Sequence, residues 1–195
     1  MKKYELTAEF IEKWGKKLFR IKALISFGSV EAGELGGYVE KEDNLAQDGD
    51  AWVCDDAEVY GDAEVYGDAR VYGNARVYGN ARVYGDAEVY GNAEVYGDAR
   101  VYGNAEVYGD ADYLLIGRIG SRFSFTTFFK NKDKGITVSC GCFLGTIAEF
   151  RAKVTDTHGN NKHAKIYNLA ADMAELQILG EEHFDKLNTN KSESF

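Results

Sequence analysis

The sequence predicts a mainly β protein centred on a solenoid of short stacked strands, with an N-terminal β-hairpin before it and a small α+β module after it. Three observations predict this. Valine recurs every six residues from Val53 through Val107, ten times without a miss, and alanine keeps the same interval from Ala51 through Ala111. Within each word Ala and Val are two apart, so they share one face of an extended strand. Gly with Asp or Asn closes each word, and these residues tolerate the left-handed backbone that a corner needs. Glycine, Asn and Asp must make every turn, because the chain has no proline.

A strand as short as A-x-V-Y buries too little by itself, but stacked coils bury a continuous column of Ala and Val. The residue between Ala and Val faces outward, as does the Tyr after Val. The six-residue period, uninterrupted over 51–112, resembles the hexapeptide repeat of left-handed parallel β-helices. That resemblance implies three words per triangular coil and a prism of about 16 Å at roughly 4.8 Å per stacked strand. Charge alone does not decide the coil length. Three-word stacking sets Glu58 and Glu94 against Arg76, Glu64 against Arg82 and Arg70 against Glu88. It also sets Arg82 on Arg100, Glu88 on Glu106 and Glu94 on Asp112.

The organisation expected is a hairpin or cap at 1–34, the β-helix at 35–112 with regular words at 51–112, an α+β module at 113–180 and a flexible tail at 181–195. The hairpin pairs "EFIEKW" with "KLFRIKAL" about Gly15-Lys16, with a helix over 8–14 as the alternative. Leu35–Val53 is a degenerate coil drifting into register, and "ADYLLIGRIG" leaves the repeat as an apolar lid strand. "YLLIGRI", "RFSFTTFFK" and "GITVSCGCF" alternate as strands, the last two joined by "NKDKG". Thr146 to Glu149 forms a capping box, followed by a stripe of Ile147, Phe150 and Val154 that Gly159 stops. A second helix, Lys162 to Leu179, has Ile166, Leu169, Ala170, Met173 and Leu176 on its apolar side.

Two longer stretches add resemblances. "GELGGYVEKEDNLAQDGDAWV" followed by the words resembles bacterial and prophage hexapeptide-repeat proteins, often labelled acyltransferases. "GSRFSFTTFF", "VSCGCFLGTIAEF" and "VTDTHGNNKHA" resemble a C-terminal module that accompanies such repeats in phage-derived proteins. The second resemblance implies an origin and no particular chemistry.

Charge is unevenly placed along the 195 residues, whose net charge is −9. Residues 53–112 carry thirteen Asp/Glu against four Arg and residues 25–52 are −6, whereas 1–24 are +4 and 113–195 are +2. An acidic middle argues against direct nucleic-acid binding. No apolar run reaches the roughly 18 residues of a membrane helix. "MKKYELTAEF" lacks a signal-peptide core, and three cysteines suit a reducing compartment. A cytoplasmic protein is expected, in the bacterial host cell if the origin is phage, with no membrane contact.

The function expected is a non-catalytic binding or scaffold protein: an acidic, tyrosine-lined prism that carries the C-terminal module to a macromolecular partner, such as a host factor it inhibits. The binding surface is Trp52 with three files of stacked rings: Tyr60, Tyr78 and Tyr96; Tyr66, Tyr84 and Tyr102; Tyr72, Tyr90 and Tyr108. The files read equally as a self-supporting ladder and as a contact patch, and Trp52 would stack over Arg70. The partner is a protein, and the family resemblance implies a homotrimer. One alternative is an acyl-CoA-dependent acyltransferase, the only reading that brings a cofactor, acetyl-CoA. That family uses a histidine beside the coil, and here the repeat has none. A second alternative is a nucleic-acid mimic occupying a basic site on a host protein. No catalytic group is assigned. Chemistry would draw on Cys142 as nucleophile with His158 as base, and a metal on Cys140, Cys142, His158 and His163. Against both stands a plainer reading, in which Ile136, Val138, Cys140 and Cys142 share one core-facing strand side.

Overall fold

A computed structural model of the chain describes residues 2–109 and 112–181. The chain divides into two compact units, Met1–Asp110 and Ala111–Phe195. The tail expected from 181 lies, beyond Glu181, outside the described residues.

In the first unit, β1 (Tyr4–Lys13) and β2 (Lys16–Ala23) form an antiparallel hairpin. Its turn is Trp14-Gly15, with φ of 51° and 73°, a pair of left-handed residues that suits the right-handed twist of two strands. The turn is one residue earlier than expected, and 8–13 is strand rather than helix. β3 (Leu35–Val39) pairs antiparallel with β2. Short strands follow, one per word: β4 (Trp52–Val53), β5 (Glu58–Val59), β6 (Glu64–Val65), β7 (Arg70–Val71) and β8 (Arg76–Val77). After them come β9 (Arg82–Gly85), β10 (Glu88–Val89), β11 (Glu94–Val95), β12 (Arg100–Gly103) and β13 (Glu106–Val107).

These strands stack in three parallel columns, β3-β5-β8-β11, β4-β7-β10-β13 and β6-β9-β12. Val59 lies opposite Val77 and Val71 opposite Val89, so one coil takes eighteen residues. The result is a parallel β-solenoid of about four turns. Charge left this length open, and the backbone ladder decides it. In the first coil the third column is irregular: Leu45 bridges Val65 after a 3-10 turn at Glu42–Asn44. The Asn44 amide, fully buried, donates to the carbonyls of Gly61 (3.1 Å) and Ala63 (2.8 Å) and stands in for backbone pairing.

Every repeat alanine from Ala51 to Ala105 and valine from Val53 to Val107 is at most 1% exposed. The corners are equally tight. Gly67 has φ of 72°, and a Cβ there would sit 3.0 Å from the amide nitrogen of Gly85 in the next coil. Glycine is needed both for the bend and for the stacking.

Two outward positions are covered by the N-terminal segment, contrary to expectation. Trp52 is 2% exposed, with Tyr4 and Phe27 edge-on to its ring at 6.2 and 5.4 Å. Trp52 pairs with Arg70 in backbone register, but its ring packs on these two aromatics, so it leaves the outer surface. Glu58 is 3% exposed beneath Lys13, its ion-pair partner. Lys3 is also buried. Its ammonium donates to the carbonyls of Asp48, Gly49 and Ala51 at 2.9–3.3 Å and lies over Phe27 at 4.9 Å.

In the second unit, β14 (Tyr113–Ile119), β15 (Ser124–Lys130), β16 (Ile136–Cys140) and β17 (Phe143–Thr146) form an antiparallel sheet in that order. α1 (Ile147–His158) and α2 (Lys162–Leu179) pack on it. The capping box at Thr146 and Glu149 forms as the residues predict. "GITVSCGCF" is two strands rather than one. Gly141, at φ of 62°, opens a two-residue turn that ends β16 at Cys140 and puts Cys142 on the exposed loop. Cys140 and Cys142 therefore do not share a buried strand face.

The buried side of α2 matches the expected one only at Ala170. Ala164, Tyr167, Ala170, Ala171, Ala174 and Ile178 join Phe128, Val138 and Phe150 in the core. Alanines let the helix approach the sheet closely. Ile166, Leu169, Met173 and Leu176 are 38%, 63%, 57% and 45% exposed. Arg151 ties the helices together, donating to Asp172 at 2.8 Å and to buried Glu175 at 2.6 Å. Among the described residues, no helix is long and apolar enough to cross a membrane.

Gly79→Ala, which forces a Cβ into φ of 74° and to 3.0 Å from the Gly97 nitrogen, should cost about 2 kcal/mol in denaturant unfolding. Arg151→Ala strands a buried carboxylate and should cost about 3 kcal/mol in the second unit's transition. The double change with Glu175→Gln should recover part of that loss.

Candidate functional site

The tyrosine files form as the eighteen-residue register requires. Tyr60, Tyr78 and Tyr96 stack at 5.0 and 5.4 Å, and Tyr66, Tyr84 and Tyr102 at 4.7 and 4.6 Å, with interplanar angles of 0–14°. Tyr72 stacks on Tyr90 at 4.9 Å, and Tyr90 meets Tyr108 edge-on at 5.2 Å. Trp14, at the hairpin turn, stacks on Tyr60 at 5.1 Å and extends the first file by one ring. Sequence reading missed Trp14, because its register against the coil depends on a turn of unknown type. Stacked rings turn their faces to one another and present edges and hydroxyls to solvent. This is the geometry of a self-supporting ladder. Exposure is greatest at the far end, at Tyr96 (47%) and Tyr108 (61%).

The hydroxyls also relieve the charge lattice. Tyr72 donates to Glu88 and Tyr90 to Glu106, each at 2.9 Å, so the two stacked glutamates each gain a phenol donor. Arg76 pairs with Glu94, and Arg82 with Glu64 at 3.1 Å. Burial, and then the neighbouring Tyr78, push the Tyr60 phenol up to about 12. Burial does the same to Tyr84, also to about 12, with Tyr102 and Tyr66 adding to it.

The second unit holds a pocket of about 180 Å³ built from four separate stretches. Ser121, Arg122 and Ser124 come from the β14–β15 connection and the start of β15; Cys140, Gly141, Cys142 and Phe143 come from the β16–β17 turn. Phe150, Lys153, Val154, Thr157 and His158 come from α1, and Tyr167 from α2. The connection sits close on α2, since a Cβ at Gly120 would collide with the Tyr167 hydroxyl. Cys140 accepts from the Thr126 hydroxyl at 3.2 Å and donates to the Tyr167 hydroxyl at 3.9 Å. Burial first, and then Cys140, hold the Tyr167 phenol up at about 12, while the Arg122 charge pulls the other way.

The candidates in this unit therefore separate. Cys140, Cys142 and His158 line one pocket, whereas His163 reaches it only through His158, ring to ring at 5.8 Å. His158 is stacked on Tyr167 at 5.7 Å and 27°. Among the described residues, no group of three or more His, Cys, Asp or Glu side chains is placed to hold a metal ion. Sequence reading missed Arg122, Lys153 and Tyr167. Arg122 stands inside the quoted "GSRF", but only the folded sheet brings that stretch to α1.

Residues 75–91 match a family model described as the YdcK beta solenoid repeat. The match spans seventeen residues, one short of a coil. No curated protein matches the chain. The solenoid repeat is thus what this part of the chain is similar to, and it coincides with β8–β10, where Ala, Val and corner Gly recur without a variant.

The raised tyrosines predict alkaline lability. Unfolded phenols ionise near pH 10, whereas Tyr60 and Tyr84 hold their protons to about 12. The unfolded chain then binds fewer protons, so stability is intact below pH 10 and falls as pH rises towards 12. Phenolate absorbance and circular dichroism should change together across that window. A fully folded solenoid in which Tyr60 and Tyr84 are ionised at pH 11 would contradict their raised proton affinity.

Proposed function

We propose that the protein is a non-catalytic scaffold whose solenoid is a rigid support and whose C-terminal module makes protein contacts. The observation that carries this is α2, a helix with two apolar sides. One is buried on the sheet; the other presents Ile166, Leu169, Met173 and Leu176 to solvent. Their 3-4-3 spacing is that of alternate layers in a helix–helix seam. Among the described residues of a single copy nothing fills that seam.

The partner this spacing supports first is a second copy of the same chain. In a parallel arrangement each of the four side chains meets its own counterpart. The hexapeptide resemblance supports a left-handed coil and a homotrimer, with the N-terminal hairpin as a cap on the first coil's open edge. The prophage resemblance supports a phage accessory role, the assembled module then meeting a host protein.

The acyltransferase alternative gains no specific support, because His158 and Cys142 lie outside the solenoid unit. The mimic alternative is weakened by the Arg and Tyr partners that the solenoid's glutamates already have.

Light scattering of the full chain at about 100 µM should give a trimer, and Leu169→Lys with Met173→Lys should give monomers with unchanged circular dichroism. A wild-type monomer at that concentration would overturn the self-association reading.

A further inference from the structure

The pocket in the second unit has a chemistry that packing alone does not require. Its lining includes Arg122, Lys153 and His158, and no carboxylate. Arg122 has no ion-pair or hydrogen-bond partner among the described residues, and its guanidinium lies over the Gly141 turn, where a Cβ would sit 3.5 Å from Nη1. Among the described residues Lys153 pairs only with exposed Asp156, at 3.1 Å. Below these cations the lining is apolar, with Phe150, Val154 and Tyr167 all at most 6% exposed.

We propose that this pocket binds a compact organic monocarboxylate, its carboxylate held by Arg122 and Lys153 and its apolar body resting on Phe150, Val154 and Tyr167. The guanidinium fork matches a carboxylate in a two-bond geometry, and Lys153 adds a point charge beside it. A cationic rim over an apolar floor selects a molecule with one charged end. A bare inorganic oxyanion would leave the floor uncovered, and a neutral ring would leave Arg122 unmatched. The volume, about 180 Å³, is below the roughly 300–1,000 Å³ of drug-sized sites, so the body is the size of a single ring.

The convergence of four stretches gives this site its specificity. Arg122 depends on the tight β14–β15 connection, where φ is positive at Arg118, Gly120 and Phe123 (50°, 72° and 47°). Gly120 lets that connection settle on the Tyr167 hydroxyl, which keeps the rim close to the floor. The inference goes beyond the scaffold reading and is independent of self-association.

Calorimetric titration of the full-length protein with benzoate, cyclohexanecarboxylate, benzamide and inorganic phosphate tests it. Saturable binding is expected for the two carboxylates and none for benzamide or phosphate at the same concentration. Arg122→Gln, on an exposed loop, should weaken benzoate about tenfold or more, with circular dichroism and oligomeric state unchanged. Lys153→Gln should weaken it less. The proposal fails if neither carboxylate binds up to about 10 mM, if Arg122→Gln binds benzoate as wild type does, or if phosphate binds as well as benzoate. Weakening by Val154→Ala of benzoate more than by a Thr155→Ala control would place the ring on the floor; equal affinities in both would overturn that placement.

Discussion

The bore of the solenoid sets the rest of the structure. Three walls of short strands enclose a space that takes one Ala and one Val per wall in the regular words, with Leu45 opposite Val65 in the first, irregular coil, and every such side chain in the repeat is at most 1% exposed. Close packing at that density leaves no room for a polar group. Most corners are then glycine, because at Gly49, Gly61, Gly67, Gly73, Gly79 and Gly85 a Cβ would come within 3.2 Å of the next corner's backbone, and Asp55 takes that place in the first word with φ of 55°. With interior and corners both determined, variation is confined to the residue between Ala and Val, the corner Asp or Asn, and the two chain ends.

The outer surface solves the electrostatic problem this creates. Parallel stacking in register places every outward residue above its equivalent, so like charges meet wherever two words agree. The chain answers with Arg between glutamates in one column and with phenol donors in another. The rings that supply those donors shield one another by stacking. Tyrosine therefore serves the ladder through its face and the charges through its hydroxyl, and at Tyr72 burial and then the hydrogen bond to Glu88 raise the proton affinity.

How much of this could be read beforehand depended on whether the information was local. Ala, Val and Gly recur at a fixed interval, so the core and its corners followed from spacing alone, whereas three words per coil came from the family resemblance and was decided by the backbone ladder. Trp52 and Glu58 broke the outward rule because a hairpin some forty residues earlier covers them, and no periodicity reports on that. In α2 both sides are apolar. Counting bulk favours Ile166, Leu169, Met173 and Leu176, whereas the sheet accepts the alanine side, which permits a shorter approach. The pocket was hidden for a third reason: Arg122, Cys142, Lys153 and His158 belong to different elements that only the antiparallel sheet and its helices bring together.

The eighteen-residue register also bears on how such a chain changes length. Nearly identical words invite slippage during copying of the coding sequence, and the interior would accept the gain or loss of any whole word, since each supplies the same Ala and Val. The exterior is stricter. A change of one word moves every later word to the neighbouring wall, separates Arg76 from Glu94 or its equivalents, and makes the coil end on a different side. Only changes of three words keep columns and exit point together. Length variants of this architecture should therefore differ by whole coils.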